Sequence, residues 1–415
     1  MRSNSGRRRA AVICVWVTAL AISAAGCGQP VGSGVYSTAP SAMTEQSTTP
    51  PATVAASDGA AVRPTPASPS VTPSADASTP SATGEQPGPK PSAAPSGLVP
   101  YAGPVEHIFF HPLIVDPARA FDGDRMSKGY DDWFVTVYEF RRILQSLYER
   151  GYVLVDIRTL FDVREENGRT VVALKIPLVP AGKKPLVLSV DDLNYYDYML
   201  QNGNASRLVL DDTGRVAALY RDRSGNEVIS REIEIVPIVD HFVEMHPDFS
   251  VGGAKGVIAL TGYEGVLGYR TQADSPQRER ERSAAEPVVR RLKETGWVFA
   301  SHGYGHLDAR KVSLDRLKSD TERWKREVEP IVGPTAIYIY PYGSRPETGG
   351  DKFRMLTEFG FRMLCSVGPA PYLKTTDGAV MMDRRHIDGI AFRDQRERLK
   401  PLFDVEQVID PARPR

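Results

Sequence analysis

Seven short apolar runs constrain this chain more than any other feature: VEHIFF (105–110), YVLVD (152–156), PLVLSV (185–190), GVIAL (256–260), WVFAS (297–301), TAIYIY (335–340) and FRMLCS (361–366). Each is too short for a buried helix and rich in β-branched or aromatic residues, so each reads as a buried strand. Helical patterns lie between several of them. In TVYEFRRILQSLYERG (136–151), Phe140, Ile143, Leu144, Leu147 and Tyr148 share one face and Gly151 ends the pattern. AAEPVVRRLKETG (284–296), SLDRLKSDTERWKREVEPIVG (313–333, Ser313 as cap) and DKFRMLTEFG (351–360) are further helices. Strands alternating with helices predict a mainly parallel α/β sheet or barrel, whose reactive residues belong at the carboxyl ends of the strands. One stretch breaks the rhythm. Residues 205–239 alternate apolar and polar positions around the turn signals Asp212-Thr213-Gly214 and Ser224-Gly225-Asn226, which predicts an inserted small β-meander.

The first 97 residues are of a different kind. Residues 1–27 combine a basic start, an apolar core from Ala10 to Ala25 and the ending Ala24-Ala25-Gly26-Cys27, the pattern of a secretory signal peptide. That ending resembles a bacterial lipobox, which implies lipidation at Cys27. Residues 28–97 consist almost wholly of Pro, Ser, Thr, Ala and Gly, and such a segment lacks the apolar surface to offset the entropy of ordering. The expectation is a lipoprotein exported to the outer face of the membrane, or secreted, with a disordered linker and a folded domain over 98–415. Lys plus Arg and Asp plus Glu both number 51, so net charge gives no argument for nucleic-acid binding. Beyond the signal and Cys27 only Cys365 remains, which excludes a disulfide framework and a cysteine metal site.

The chemistry-bearing residues stand where an α/β fold would use them. PLVLSV runs into Asp191-Asp192, WVFAS into His302 and His306, TAIYIY into Pro341-Tyr342-Gly343, and HIFF into His111. Two adjacent carboxylates behind a buried strand repel one another unless a cation or a shared proton relieves them. Gly303 and Gly305 exclude a regular helix around the two histidines but allow a turn that brings both rings onto one ion. One aspartate and two histidines form an open three-ligand site, and the second aspartate is then free to act as a base.

These residues resemble the motifs of the polysaccharide deacetylase family (the NodB homology domain, carbohydrate esterase family 4). SVDD resembles its first motif, SHGYGH its second, H-[ST]-x-x-H, and YIYPYG its third, R-x-P-Y-G. The resemblance spans about Val105 to Asp394. It implies a distorted (β/α) barrel with Asp191 as general base and Asp192, His302 and His306 as ligands of a divalent metal, zinc. It further implies that the Tyr342 backbone N–H meets the oxyanion and that His386, in MMDRRHIDGIAF, is the general acid. His111, Tyr195, Tyr196 and Arg345 are the expected substrate-facing residues. The chain departs from the pattern at Ile339, where the family's arginine braces the base, and at Gly303, where the family has Ser or Thr. Arg345, Arg384 and Arg385 are the candidates to replace the missing charge.

The function expected on this basis is metal-dependent removal of N-acetyl groups from a cell-wall or extracellular glycan such as peptidoglycan, by a monomer held at the membrane through its lipid. The alternatives are an O-acetyl esterase on the same fold and a catalytically silent glycan-binding lipoprotein.

Overall fold

The computed structural model describes residues 97–376 and 378–414. The signal sequence, Cys27 and the linker up to Ser96 lie outside the described residues. Among the described residues no helix is long and apolar enough to cross a membrane.

Seven parallel strands close on themselves: β1 (Glu106–Phe110), β2 (Lys184–Asp191), β3 (Val257–Leu260), β4 (Val298–Ser301), β5 (Ile337–Ile339), β6 (Met363–Val367) and β7 (Ala379–His386). Each pairs with the next in chain order, and β7 returns to β1 with His386 opposite Phe109. The expected (β/α) barrel is therefore the observed fold. The run at Tyr152–Leu154 stays outside it and pairs with the start of β2, on the edge that β3 takes further along.

Side chains alternate in and out of the barrel wall, as the pleat requires. Val187, Val257, Ala259, Val298, Ala300, Ile337, Ile339, Met363, Cys365, Val380 and Met382 form one buried cluster inside. Ile157, Leu160, Phe161 and Val172 join it and seal the amino-terminal mouth. Intervening positions such as Ile108, Phe110, Leu186, Leu188, Ile258 and Leu260 face outward into a second cluster with the helices. Helix α1 (Val137–Glu149) starts with a full capping box between Thr136 and Glu139 and buries Phe140, Ile143, Leu144 and Leu147. The pattern at 136–151 was legible because cap, periodicity and terminal glycine agree.

Three elements differ from the reading of the sequence. The meander is real but shorter, with antiparallel strands at Arg207–Leu210, Val216–Arg221 and Glu227–Ser230. The stretch that follows forms helix α2 (Ile235–Met245), whose Ile235, Val236, Ile238 and Val239 are buried against the barrel. Glu234 accepts the Ile235 N–H at its start, and Pro237 falls in the first turn, where no intrahelical donor is needed. The hairpin Phe161–Glu166/Arg169–Leu174 was not anticipated, although Asn167-Gly168 at its tip, both with positive φ, is the favoured two-residue hairpin turn. Strand β7 was also missed; its four apolar residues are followed at once by Asp383-Arg384-Arg385-His386, which masks the strand pattern.

Candidate active site

The carboxyl ends of β1, β2, β4, β5 and β7 meet at one mouth of the barrel. Asp191 is the last residue of β2 and is 2% exposed. Asp192 follows with φ 58°, a left-handed conformation that aspartate tolerates better than most residues. This turn lets two successive carboxylates face the same site instead of opposite faces of the sheet.

His302 and His306 come from the turn after β4. The turn is held from outside by helix α3 (Leu314–Glu327), whose buried Asp320 accepts the Tyr304 and Gly305 N–H groups, each at 2.7 Å. Gly303 has φ +66°, and a Cβ there would stand 2.9 Å from Asp320 Oδ2. The departure from Ser or Thr at this position thus has a local cause: Asp320 occupies the space and serves the backbone donors.

Asp192, His302 and His306 offer ligand atoms that all lie within 4.8 Å of one another. His306 Nε2 is 3.7 Å from Asp192 Oδ2, and His302 Nε2 is 4.0 Å from Asp192 Oδ1. The His302 Nδ1–H donates to the Ile339 carbonyl at 2.8 Å, which leaves Nε2 as the atom with a free lone pair. Tyr196 donates its hydroxyl to Asp192 Oδ1 at 2.7 Å and contacts Thr261 Oγ1 at the same distance. An oriented carboxylate and two imidazoles, one fixed in its tautomer, form a group that could hold a divalent metal. Burial lowers the His306 pKa to about 4 against the opposing pull of Asp192, so its ring is neutral and able to ligate at neutral pH.

Of the three candidate arginines, Arg384, from β7, is the one that meets Asp191: its Nη1 donates to Asp191 Oδ1 at 2.7 Å. Burial would raise the Asp191 carboxyl, but the Arg384 guanidinium and His302 outweigh it and hold the pKa at about 2. Asp192 is likewise lowered against its burial by His306 and His302. The other two arginines are engaged elsewhere: Arg345 pairs with Asp383 at 3.2 Å and Arg385 with Glu106 at 3.2 Å.

The remaining residues divide. His111 follows β1 directly and lies within electrostatic reach of Asp191, Asp192 and His306. Its Nδ1 faces the Trp133 carbonyl at 3.1 Å. Tyr342 has φ 59°, and its ring meets the His306 ring at 4.6 Å. His386 stacks on Phe109, its Nδ1 lies 3.0 Å from Asp388 and its Nε2 2.6 Å from Gln395. With both ring nitrogens so engaged, His386 is poorly placed to protonate a leaving group. Tyr195 and Tyr196 correct the reading of a sugar-facing pair. Tyr195 is wholly buried, its φ of 54° turning it into the core, and Tyr196 is spent on Asp192. Their neighbour Tyr198, 40% exposed, carries the open aromatic face there.

The family model described as polysaccharide deacetylase matches residues 270–363. No curated protein matches the chain. Among solved structures, the chain is similar to the Streptococcus pyogenes deacetylase PplD in complex with acetate, with 13% identity, a TM-score of 0.40, and coverage of 76% of this chain and 100% of that one. It is similar to a de-N-acetylase from Aggregatibacter actinomycetemcomitans, with 15% identity, a TM-score of 0.42, and coverage of 72% and 100%. IcaB from Ammonifex degensii matches with 12% identity, a TM-score of 0.37, and coverage of 69% and 93%. The barrel itself stands on its strand pairings rather than on these distant likenesses. The matched span carries both histidines and the Pro-Tyr-Gly turn, in agreement with the motifs read from the sequence: residues 270–363 of this chain are of the polysaccharide deacetylase family.

Proposed function

We propose that this protein is a metal-dependent deacetylase that removes N-acetyl groups from a glycan outside the cell, peptidoglycan or a related acetylated polysaccharide. One observation carries the reading: Asp191 accepts from Arg384 at 2.7 Å and lies 3.9 Å from a histidine of the Asp192–His302–His306 set. A pure binding protein has no use for a second, separately braced carboxylate beside such a set, so the Arg384 pair speaks against the silent reading that Ile339 had suggested.

Asp192, His302 and His306 would hold the divalent cation, zinc in this reading. Such a cation would polarise the acetyl carbonyl and make water easier to deprotonate. Asp191 takes the proton of the attacking water as oxygen adds to the acetyl carbon. The Tyr342 backbone N–H faces the oxyanion. His111 replaces His386 as the acid: with Nδ1–H directed at the Trp133 carbonyl, its protonated Nε2 donates to the departing nitrogen. The C–N bond breaks, and acetate and a free amino sugar leave. Arg345 and Tyr198 belong to the glycan-facing rim. Export, lipidation at Cys27 and the tether over 28–97 give this domain (98–415) access to the wall.

The test uses the domain purified without chelator. One equivalent of metal per chain, lost in His302→Ala, with acetate released from chito-oligosaccharide or peptidoglycan and abolished in Asp191→Asn, is the expected result. Release from O-acetyl esters alone would make it an esterase. Bound metal with no acetate released from any acetylated glycan would make it a binding protein.

A further inference from the structure

A buried polar chain runs through the barrel beneath the site. His107 on β1, Ser189 on β2 and Arg384 on β7 all point inward and are at most 1% exposed. His107 Nε2 lies 2.9 Å from Ser189 Oγ, and Arg384 Nη1 donates to Ser189 Oγ at 3.2 Å and to Asp191 Oδ1 at 2.7 Å. The apolar layer around them is valine, alanine, isoleucine, methionine and Cys365, so a serine and a histidine at this depth carry a desolvation cost that a purely apolar layer would avoid.

Arg384 fixes one direction in the chain. A guanidinium only donates, so the Ser189 oxygen accepts from it, and the Ser189 hydroxyl proton is available to His107 Nε2 when that nitrogen carries none. In that arrangement neutral His107 carries its proton on Nδ1, a buried atom with no hydrogen-bond partner among the described residues, at a desolvation cost that the Ser189 bond has to offset. Burial and the nearby Arg384 charge both hold His107 well below the usual histidine range, consistent with a neutral ring. Both bonds of Arg384 leave from the same nitrogen. One Nη1 proton goes to Ser189 and the other to Asp191, while the guanidinium carbon lies 4.0 Å from the centre of the Phe109 ring. The Ser189 bond therefore fixes the plane in which the second proton points. Asp191 Oδ1 is occupied by it, and Oδ2 is left facing His302 Nε2 at 3.9 Å.

We propose that Ser189, oriented by neutral His107, is a positioning residue that locks Arg384 and so assigns Oδ2 of Asp191 as the oxygen that receives the proton of the attacking water. This rests on Asp191 being the base. It acts on kcat rather than on glycan binding, because none of the three residues reaches the mouth of the barrel.

The experiment has two arms. In the first, steady-state kinetics on the metal-loaded domain compares Ser189→Ala, Ser189→Thr and His107→Leu. Ser189→Ala lowers kcat about ten- to a hundred-fold, the scale of a misplaced reacting group, with KM and metal content unchanged. Ser189→Thr, which keeps the hydroxyl, restores most of it, and His107→Leu adds little on top of Ser189→Ala because both act through one oxygen. Wild-type kcat in Ser189→Ala, or no rescue by threonine, overturns the proposal while leaving the base assignment standing; activity surviving in Asp191→Asn overturns both. The second arm needs no substrate. Nitrogen-15 spectra of the imidazole rings should show His107 as the neutral Nδ1–H tautomer, and an Nε2–H tautomer or an imidazolium would overturn the relay.

Discussion

At the scale of single residues, the turn after β4 shows how the proposed metal-ligand geometry is built from backbone constraints. Gly303 is left-handed and sits against Asp320, so a side chain there meets two penalties together. Gly303→Ser should cost about 1–2 kcal/mol of stability from the backbone alone and weaken metal binding roughly 10- to 100-fold as the histidines shift. Asp320→Asn tests the other half of the contact. An amide cannot accept from both Tyr304 and Gly305 without turning its NH2 toward one of their N–H groups, a loss of about 1–3 kcal/mol. Competition against a chromophoric chelator reads the metal affinity in both variants; wild-type affinity in both would mean that the turn holds its shape unaided. Asp191, Asp192, His302 and His306 could be singled out in the sequence because each lies at or shortly beyond the end of an apolar strand. Arg384 was one of three candidates and no more. Its partner lies 193 residues away and meets it only because β7 closes onto β1, a fact of topology that no local pattern encodes. The tyrosines misled for a smaller reason: one positive φ at Tyr195 exchanges the faces that neighbouring residues present.

At the scale of elements, the strands and helices that could be read were those with agreeing signals, as at Thr136 to Gly151. Helix α2 was read as strand because Glu232-Ile233-Glu234-Ile235 alternates, and only its packing against the barrel selects the helix. The loop between β1 and α1 depends on a residue remote in sequence. Arg413 donates to both oxygens of Glu139, at 2.7 and 2.9 Å, and to the carbonyls of Asp131 and Phe134. Those two carbonyls bracket Trp133, whose own carbonyl meets His111. The carboxyl-terminal segment is thus a latch on α1 and, through it, on the proposed acid. Arg413→Leu leaves Glu139, 0% exposed, as a buried charge without its cation, which should destabilise the domain by about 3–5 kcal/mol. Adding Glu139→Gln should recover part of that loss, since the uncompensated charge is gone. Thermal denaturation of the two single variants and the double variant measures the coupling, and strictly additive losses would show that the latch is not an ion pair in function.

At the scale of the whole molecule, the site ties stability to pH. In the metal-free protein the His306 pKa is near 4, below its unfolded value of 6.5. Above pH 6.5 neither state is protonated there and the group contributes nothing. As pH falls from 6.5 toward 4, the unfolded chain takes up a proton that the folded chain refuses, so the folded state loses ground. The full shift corresponds to at most about 3 kcal/mol, and to less in practice, because the His306 side chain keeps 20% of its exposure. Asp191 adds to this lower down. Its pKa is near 2 when folded, against 3.8 as the ordinary value, so its stabilising contribution is full above about pH 4 and is lost as pH falls through 2. Both effects have the same sign, so without metal these two groups favour the folded domain near neutrality and weaken it through acid, while Glu234, raised to about 8 by burial, acts in the opposite sense between pH 4.5 and 8. A bound cation steepens the dependence, because it requires neutral imidazoles and stabilises only the folded state. Urea unfolding in chelator at pH 7.0 and pH 4.5 isolates the His306 share: between the two pH values the wild-type midpoint should fall relative to that of His306→Gln, which lacks the group. With zinc present, the wild-type midpoint at pH 7.0 should rise and the gain should vanish at pH 4.5. A midpoint indifferent to zinc at both pH values would mean that the Asp192–His302–His306 set holds no metal, and the proposed chemistry would fall with it.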